Sequence, residues 1–472
     1  MTFSVQAETI TVDNTRPGTV DTNSHYVTNK ASLVVSGVTS GDSLSAYKIL
    51  DTFYNDTTKI VSYEFTTDFK NFLSSSDTYS DLTVEQYTKY TGGSLTSGAT
   101  NVQSELDALA SAYAGYIKTH PSVTSTALSA SGTTATLSSV DSGSYLVLPT
   151  STSRVYAVMV GNLGLTAESG EWVSKDVDIV AKVNDASVSK TVGDKSTTEQ
   201  TYNFGDEFTY YISGSVPRYP ANATNKKYTV KDTMDAGLTF KGIASVDIKD
   251  GETTLTVASD GKVTDSAGNQ VAVITVNGQS LEFDFNVDYV NSTTITISYK
   301  ATLNENAVLG LAGNKNGASL VYSNDPYGTG TNELENPSET TVRTYGISVL
   351  KFETGKAGVT LAGAKFEVYS SSDLSADSLV GTITTGEDGT DTLLGVKAGT
   401  YYLKEVVAPV GYALKDDVVE VTVDDTNDEG DTGIVKISID NSKVGSLPIT
   451  GGMGTIIFTV SGAILMLGAI WF

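Results

Sequence analysis

The chain has 472 residues, 39% of them apolar, with no Cys, 2 His and a formal net charge of −25. That length holds about three domains with cores of their own. The acidic balance excludes a nucleic-acid partner, whose phosphates it would repel. Two histidines, His25 and His120, leave little for a zinc centre or a His-based triad, and without Cys no disulfide can stiffen the fold.

The first residues, Met1 to Ala7, end in Val5-Gln6-Ala7, which reads as the close of a secretory signal peptide. From Ala31 the pattern is that of strands: Ser32 to Gly37, Ser45 to Leu50, Ala135 to Leu137, Ser144 to Leu148 and Tyr156 to Val160. One helix stands out between them, where Val102, Leu106, Leu109, Tyr113 and Ile117 recur at helical spacing and Pro121 follows. This first domain, residues 8–182, is expected to be mostly β with helical insertions.

Alternation returns at Phe208, Tyr210 and Ile212 and at Ile295, Ile297 and Tyr299, with turn signals at Asp250-Gly251 and Asp260-Gly261. Residues 183–343 therefore read as an antiparallel sandwich, with Asn324 to Glu339 as a polar surface loop leading onward. Residues 344–446 form a compact run of short strands. The acidic string Asp424 to Glu429 has no metal-loop spacing and reads as a solvated hairpin tip; no cofactor or metal is implied. The chain closes with Leu447-Pro448-Ile449-Thr450-Gly451-Gly452 and an almost unbroken apolar stretch from Thr455 to Phe472. At about 18 residues that stretch is just long enough to span a bilayer; the segment is taken as residues 447–472.

Three polar residues of the third domain fall on apolar strand faces, because alternate residues of a strand point the same way. Lys351 is in phase with Ile347 and Val349, Glu405 with Tyr401, Leu403 and Val407, and Asn441 with Ile437 and Ile439. In the second domain Lys190 is in phase with Val188 and Val192, Asp232 with Tyr228 and Val230, and Asn316 with Ala318, Leu320 and Tyr322. Buried charges must be paired or must react. A desolvated Lys tends to lose its proton and becomes nucleophilic, while a desolvated carboxyl tends to keep its own. The amine can then attack the Asn carbonyl, the acid shuttling protons and ammonia leaving. The product is a Lys–Asn isopeptide bond, a strut that replaces the missing disulfides. Asn314 competes with Asn316 as the acceptor, and hydrogen-bonded pairs that never react are the other reading. The first domain shows no complete triad.

These residues carry a resemblance. Lys351-Phe352-Glu353, Leu361 to Tyr369 and Tyr402 to Tyr412 resemble the B-type repeat of collagen adhesins and pilins, with Glu405 at the position of that family's E-box glutamate. Lys231 to Thr239 and Asn316 to Asn324 are similar to the isopeptide-forming domain of backbone pilins. Leu447-Pro448-Ile449-Thr450-Gly451 with its apolar tail resembles the cell-wall sorting signal of Gram-positive surface proteins, although no basic residue follows Phe472. The resemblance implies that a sortase cuts between Thr450 and Gly451 and passes the Thr carbonyl to an amine. In backbone pilins that amine is a Lys closing a Trp-x-x-x-Val-x-Val-Tyr-Pro-Lys-like string. Here Trp172 to Lys182 is the counterpart, with Val180-Ala181 in place of Tyr-Pro and one extra residue after the Trp. Val177, Ile179 and Ala181 share a face, which puts Lys182 on the opposite one; Lys175 is the fallback.

The implied fold is mostly β: tandem Ig-like or collagen-adhesin-type β-sandwiches with a C-terminal transmembrane segment. The implied function is the non-enzymatic backbone subunit of a covalently polymerised, wall-anchored pilus, crosslinked inside by Lys190–Asn316 and Lys351–Asn441. Its partners are a pilin-specific (class C) sortase, a housekeeping sortase and peptidoglycan, other copies of itself, accessory pilins and a host surface ligand. A monomeric wall-anchored adhesin or accessory pilin is the alternative.

Overall fold

The computed structural model describes residues 10–91, 103–151, 154–168, 171–184, 186–334, 338–426 and 432–445. The expected transmembrane segment, the sorting string Leu447 to Gly451 and residues 427–429 of the acidic string lie outside these residues. Among the described residues no helix is long and apolar enough to cross a membrane.

In the first part of the chain two sheets enclose a core of Leu33, Val35, Ala46, Leu137, Val147 and Leu163. One sheet is centred on the long strand Ser43–Asn55, paired to Gly143–Ser151; the other pairs Lys30–Ser36 with Thr134–Asp141 and, in parallel, with Val177–Val180. Three helices cover the first sheet: α1 (Thr67–Ser75), α2 (Val84–Tyr90) and α3 (Gln103–Thr119). Helix α3 is the expected helix. The other two carry start signals that alternation masks. Thr66 caps α1 by accepting from the Phe69 amide, and Thr83 with Gln86 forms a capping box on α2. Their buried Phe69, Phe72 and Tyr87 pack on Tyr113 of α3 and on Leu146. The strand expected at Tyr156 to Val160 is broken, into Val155–Tyr156 and Met159–Leu163.

Residues 187–343 build a sandwich around one large apolar core. Its six-stranded sheet includes Ser187–Val192, Glu207–Ser215 and Thr294–Leu303; its nine-stranded sheet includes Tyr228–Met234, Asn314–Ser323 and Ser338–Arg343. Pairing is antiparallel except where Glu199–Thr201 runs parallel to Thr341–Arg343. The stretch expected to be a surface loop, Asn324 to Glu339, is more ordered than its polarity suggests. Thr331–Glu333 pairs with Asn314–Ser323, and Asp325 forms a 2.9 Å ion pair with Lys118 of α3. Asn222 Nδ2 donates to Ser111 O of the same helix, so the polar groups here form a junction with the helical layer.

The last described part holds two four-stranded sheets. Tyr345–Glu353 is flanked by Thr390–Val396 and, in parallel, by Ile434–Asn441; Lys365–Tyr369 and Gly399–Val407 lie at the centre of the other. Only the buried Thr344 separates the strand Ser338–Arg343 from Tyr345–Glu353. The Phe204 amide donates to Gly395 O at this junction, and a Cβ on Gly395, whose φ is 77°, would collide with the Phe204 ring.

Candidate crosslinking sites

The third-domain residues come together as strand phase predicts. Lys351, Glu405 and Asn441 are 0%, 2% and 3% exposed. Lys351 and Asn441 project from neighbouring parallel strands, in which Lys351 is level with Ile439 and Glu353 with Asn441. Glu405 reaches them from the facing sheet. The Lys351 Nζ lies 2.5 Å from Asn441 Oδ1 and 3.1 Å from Glu405 Oε1. Asn441 Nδ2 donates to both Glu405 oxygens, at 3.0 and 2.9 Å, and to Ala413 O at 3.0 Å. Burial pushes the Lys351 pKa down, against the opposing pull of the Glu405 carboxylate. Glu405 thus touches both the amine that would lose protons and the nitrogen that would leave as ammonia. Val407 is the exception to the expected phase. The ladder slips between Lys365 and Phe366, and Val407 emerges half exposed instead of inward.

In the second domain the groups sit between the sheets. Lys190 (1% exposed) comes from the six-stranded sheet; Asp232 and Asn316 (both 0%) come from adjacent strands of the other. Lys190 Nζ forms an ion pair with Asp232 Oδ2. Tyr299, an apolar position of its strand by alternation, completes the group. The Tyr299 hydroxyl donates to Asp232 Oδ1 at 2.6 Å and accepts from Lys190 Nζ at 2.9 Å and from Asn316 Nδ2 at 2.7 Å. The strand itself carries the signal: a buried mid-strand Tyr among Ile295 and Ile297 usually finds a partner for its hydroxyl. The Lys190 ammonium also lies 4.6 Å from the centre of the Tyr210 ring. Burial lowers the Lys190 pKa, opposed by Asp232, and raises that of Tyr299 well above 10.0.

Asn314 is equally buried but otherwise occupied. Its Oδ1 accepts from the Val308 amide at 2.8 Å and its Nδ2 donates to Val308 O and Val342 O. Asn316 Oδ1 has no hydrogen-bond partner. The first domain holds a half-buried cation, Lys48, 3.0 Å from Asp51 and 2.8 Å from the Tyr26 hydroxyl.

Lys182 is exposed, whereas Ala181 beside it is 9% exposed and Ile179 half-buried. It borders a cleft shared with Leu106 and Asp107 of α3 and with the exposed Val180. Its carbonyl accepts from the Ala157 amide at 2.9 Å, which fixes the backbone beneath the side chain. Lys175, the fallback, is half-buried. Leu447, Pro448, Ile449, Thr450 and Gly451 are outside the described residues.

Comparison with known proteins matches three parts of the chain. Residues 204–326 match the family model of the Gram-positive pilin backbone subunit 2, Cna-B-like domain. Residues 347–441 match a prealbumin-like fold domain, and residues 439–472 the LPXTG cell wall anchor motif. The trypsin-resistant surface T6 protein of Streptococcus pyogenes serotype M6 is 25% identical, over 64% of this chain and 72% of that protein. Fimbrial subunit type 2 of Actinomyces naeslundii is 26% identical, over 69% and 68%. Among solved structures, the T6 backbone pilin of Streptococcus pyogenes superposes with a TM-score of 0.65 at 22% identity, covering 88% of this chain and 99% of that one. The full-length major pilin SpaD of Corynebacterium diphtheriae does so at 0.53 and 20%, covering 88% and 98%. These two likenesses speak for the fold. The domain models, the anchor motif and the sequence relatives together support a Gram-positive sortase-assembled backbone pilin, extracellular and anchored to the cell wall.

Proposed function

We propose that this chain forms a pilus shaft by joining Thr450 of one copy to Lys182 of the next, and that each copy is crosslinked inside by Lys190–Asn316 and Lys351–Asn441 bonds. A pilin-specific class C sortase makes the link between copies, and a housekeeping sortase transfers the finished polymer to peptidoglycan. The chain itself is not an enzyme: Asp232 and Glu405 serve only the single turnover that closes their own domains. The working units are residues 8–182, 183–343 and 344–446, followed by the sorting segment 447–472.

The observation that carries the internal bonds is the third-domain contact, an amine nitrogen 2.5 Å from the oxygen of a buried carboxamide, with a carboxyl touching both. Two dehydrated charges cost several kcal/mol each, and turning the amine and carboxamide into one amide removes the cation. Glu405 takes a proton from the Lys351 ammonium, the amine adds to Asn441 Cγ, the same carboxyl protonates Nδ2 as the Cγ–Nδ2 bond breaks, and the new amide nitrogen returns its surplus proton to Glu405. Each bond releases one ammonia, about 17 Da. An intact mass about 34 Da below the sequence mass is expected, and a mass equal to the sequence mass sinks both bonds.

A further inference from the structure

The two domains meet the same chemical problem with different acids. Glu405 is long enough to contact both Lys351 Nζ and Asn441 Nδ2. Asp232 is one methylene shorter. It contacts Lys190, and what it receives on its other oxygen is the Tyr299 hydroxyl, which in turn accepts from Asn316 Nδ2. The ring near Lys351 is Phe366, 5.2 Å from Nζ to its centre and without a hydroxyl to offer.

From this arrangement we infer that Tyr299 is a catalytic residue of second-domain crosslinking, relaying the proton of Asp232 to the departing nitrogen of Asn316. The inference rests on the Lys190–Asn316 bond proposed above. The Lys190 ammonium first passes a proton to Asp232, leaving a neutral amine and a neutral acid. The amine adds to Asn316 Cγ, forming the Nζ–Cγ bond and placing negative charge on Oδ1. Asp232 then gives its proton to the Tyr299 oxygen while the Tyr299 proton moves to Nδ2. The Cγ–Nδ2 bond breaks, ammonia leaves and the carbonyl re-forms. The new amide nitrogen returns its surplus proton to Asp232, and Tyr299 ends as it began. The phenol can hand on a proton while receiving one because burial keeps it from ionising. Its position is fixed by ring contacts with Tyr210 and Phe240, at 5.5 and 5.6 Å between centroids.

The test follows bond formation by intact mass in the full chain at intervals after cell-free synthesis. Tyr299→Phe keeps the ring and removes the relay. The second-domain loss of about 17 Da should slow by about a hundredfold or more, the usual worth of a positioned acid or base, while the third-domain loss proceeds as before. Tyr228→Phe, which removes another buried hydroxyl, one without a hydrogen-bond partner, should form both bonds at the parental rate. Formation at the parental rate in Tyr299→Phe overturns the relay. To separate relay from packing, 3,5-difluorotyrosine at position 299 keeps the ring and hydroxyl but acidifies the phenol. A changed rate and a shifted pH profile of bond formation are expected, and an unchanged profile overturns the relay even if Tyr299→Phe misfolds. If the parent chain itself never loses the second ammonia, the fault lies with the bond and not with Tyr299.

Discussion

Replacing Glu405 by Gln keeps the shape of the side chain but leaves no group that can take a proton from Lys351 and return it to Asn441. The third-domain bond should then be absent, and its contribution to stability can be estimated. Lys351 and Asn441 are 90 positions apart. Closing a loop of that size removes about 4–5 kcal/mol of conformational freedom from the unfolded chain in the chain-entropy treatment of crosslinks. For a unit of about 100 residues, each kcal/mol moves Tm by about 4–8 °C, so the third-domain transition should fall by about 16–40 °C. Calorimetry of the full chain, read beside intact mass, measures both effects on one sample. The variant should be about 17 Da heavier than the parent after allowing for the substitution. Two outcomes refute the reasoning. One is a Glu405→Gln chain that still loses the ammonia. The other is a chain that lacks the bond yet melts within about 5 °C of the parent, less than the shift from a single kcal/mol at the upper end of that scale.

Asn316→Ala should abolish the second-domain mass loss. Asn314→Ala should keep it but cost about 1–3 kcal/mol, because the Val308 amide and two carbonyls lose their partner; denaturant unfolding beside mass spectrometry separates the two. Lys182→Ala should collapse sortase-dependent ladders to monomers on denaturing gels, and ladders that persist there and in Lys175→Ala end the proposed shaft linkage. Asp250 gives a pH prediction. Burial works against its carboxylate, but hydrogen bonds from Ser292 and from the Asn291 and Ser292 amides outweigh it and hold its pKa below the ordinary 3.8. A pKa depressed on folding stabilises above the unfolded value and loses that effect as pH falls through the folded one. Acid titration should therefore weaken the second domain below about pH 3.8, and Asp250→Asn should flatten that part of the curve.

Strand alternation was enough to turn Lys351, Glu405 and Asn441 inward, because a charged residue in phase with Ile and Val has nowhere else to point. It could not separate Asn314 from Asn316: residues two apart share a face, and both are fully buried. What separates them is the segment at Val308, which folds over Asn314 and claims its amide. Nor could alternation place Ile434–Asn441 parallel to Tyr345–Glu353, since that pairing joins strands distant in sequence. The slip at Val407 and the docking of Asp325 onto α3 likewise depend on neighbours that no local pattern names. Tyr299 was visible as part of an apolar face, but its hydroxyl acquires meaning only between Asp232 and Asn316.

The strand Ser338–Arg343, continuing through Thr344 into Tyr345–Glu353, decides how a shaft stapled in this way would stretch. In the proposed shaft, tension entering at Lys182 and leaving at Thr450 would pass from Lys190 to Asn316 and from Lys351 to Asn441, so residues 191–315 and 352–440 would feel none of it. Between the two bonds the load falls on the segment from Asn316 to Lys351. Its first and last parts lie side by side, with Asn316 opposite Thr340, Gly317 opposite Glu339 and Ala318 opposite Ser338. Load enters this pair at one end, at Asn316 and Thr340, so the partners part in turn from that end, while pairing to Tyr228–Met234 still holds Asn314–Ser323 in its sheet. Should they yield, only the residues between them are released, about 20 residues or about 70 Å at full extension. Each subunit would then have a short tether that pays out once and stops, with both cores still closed.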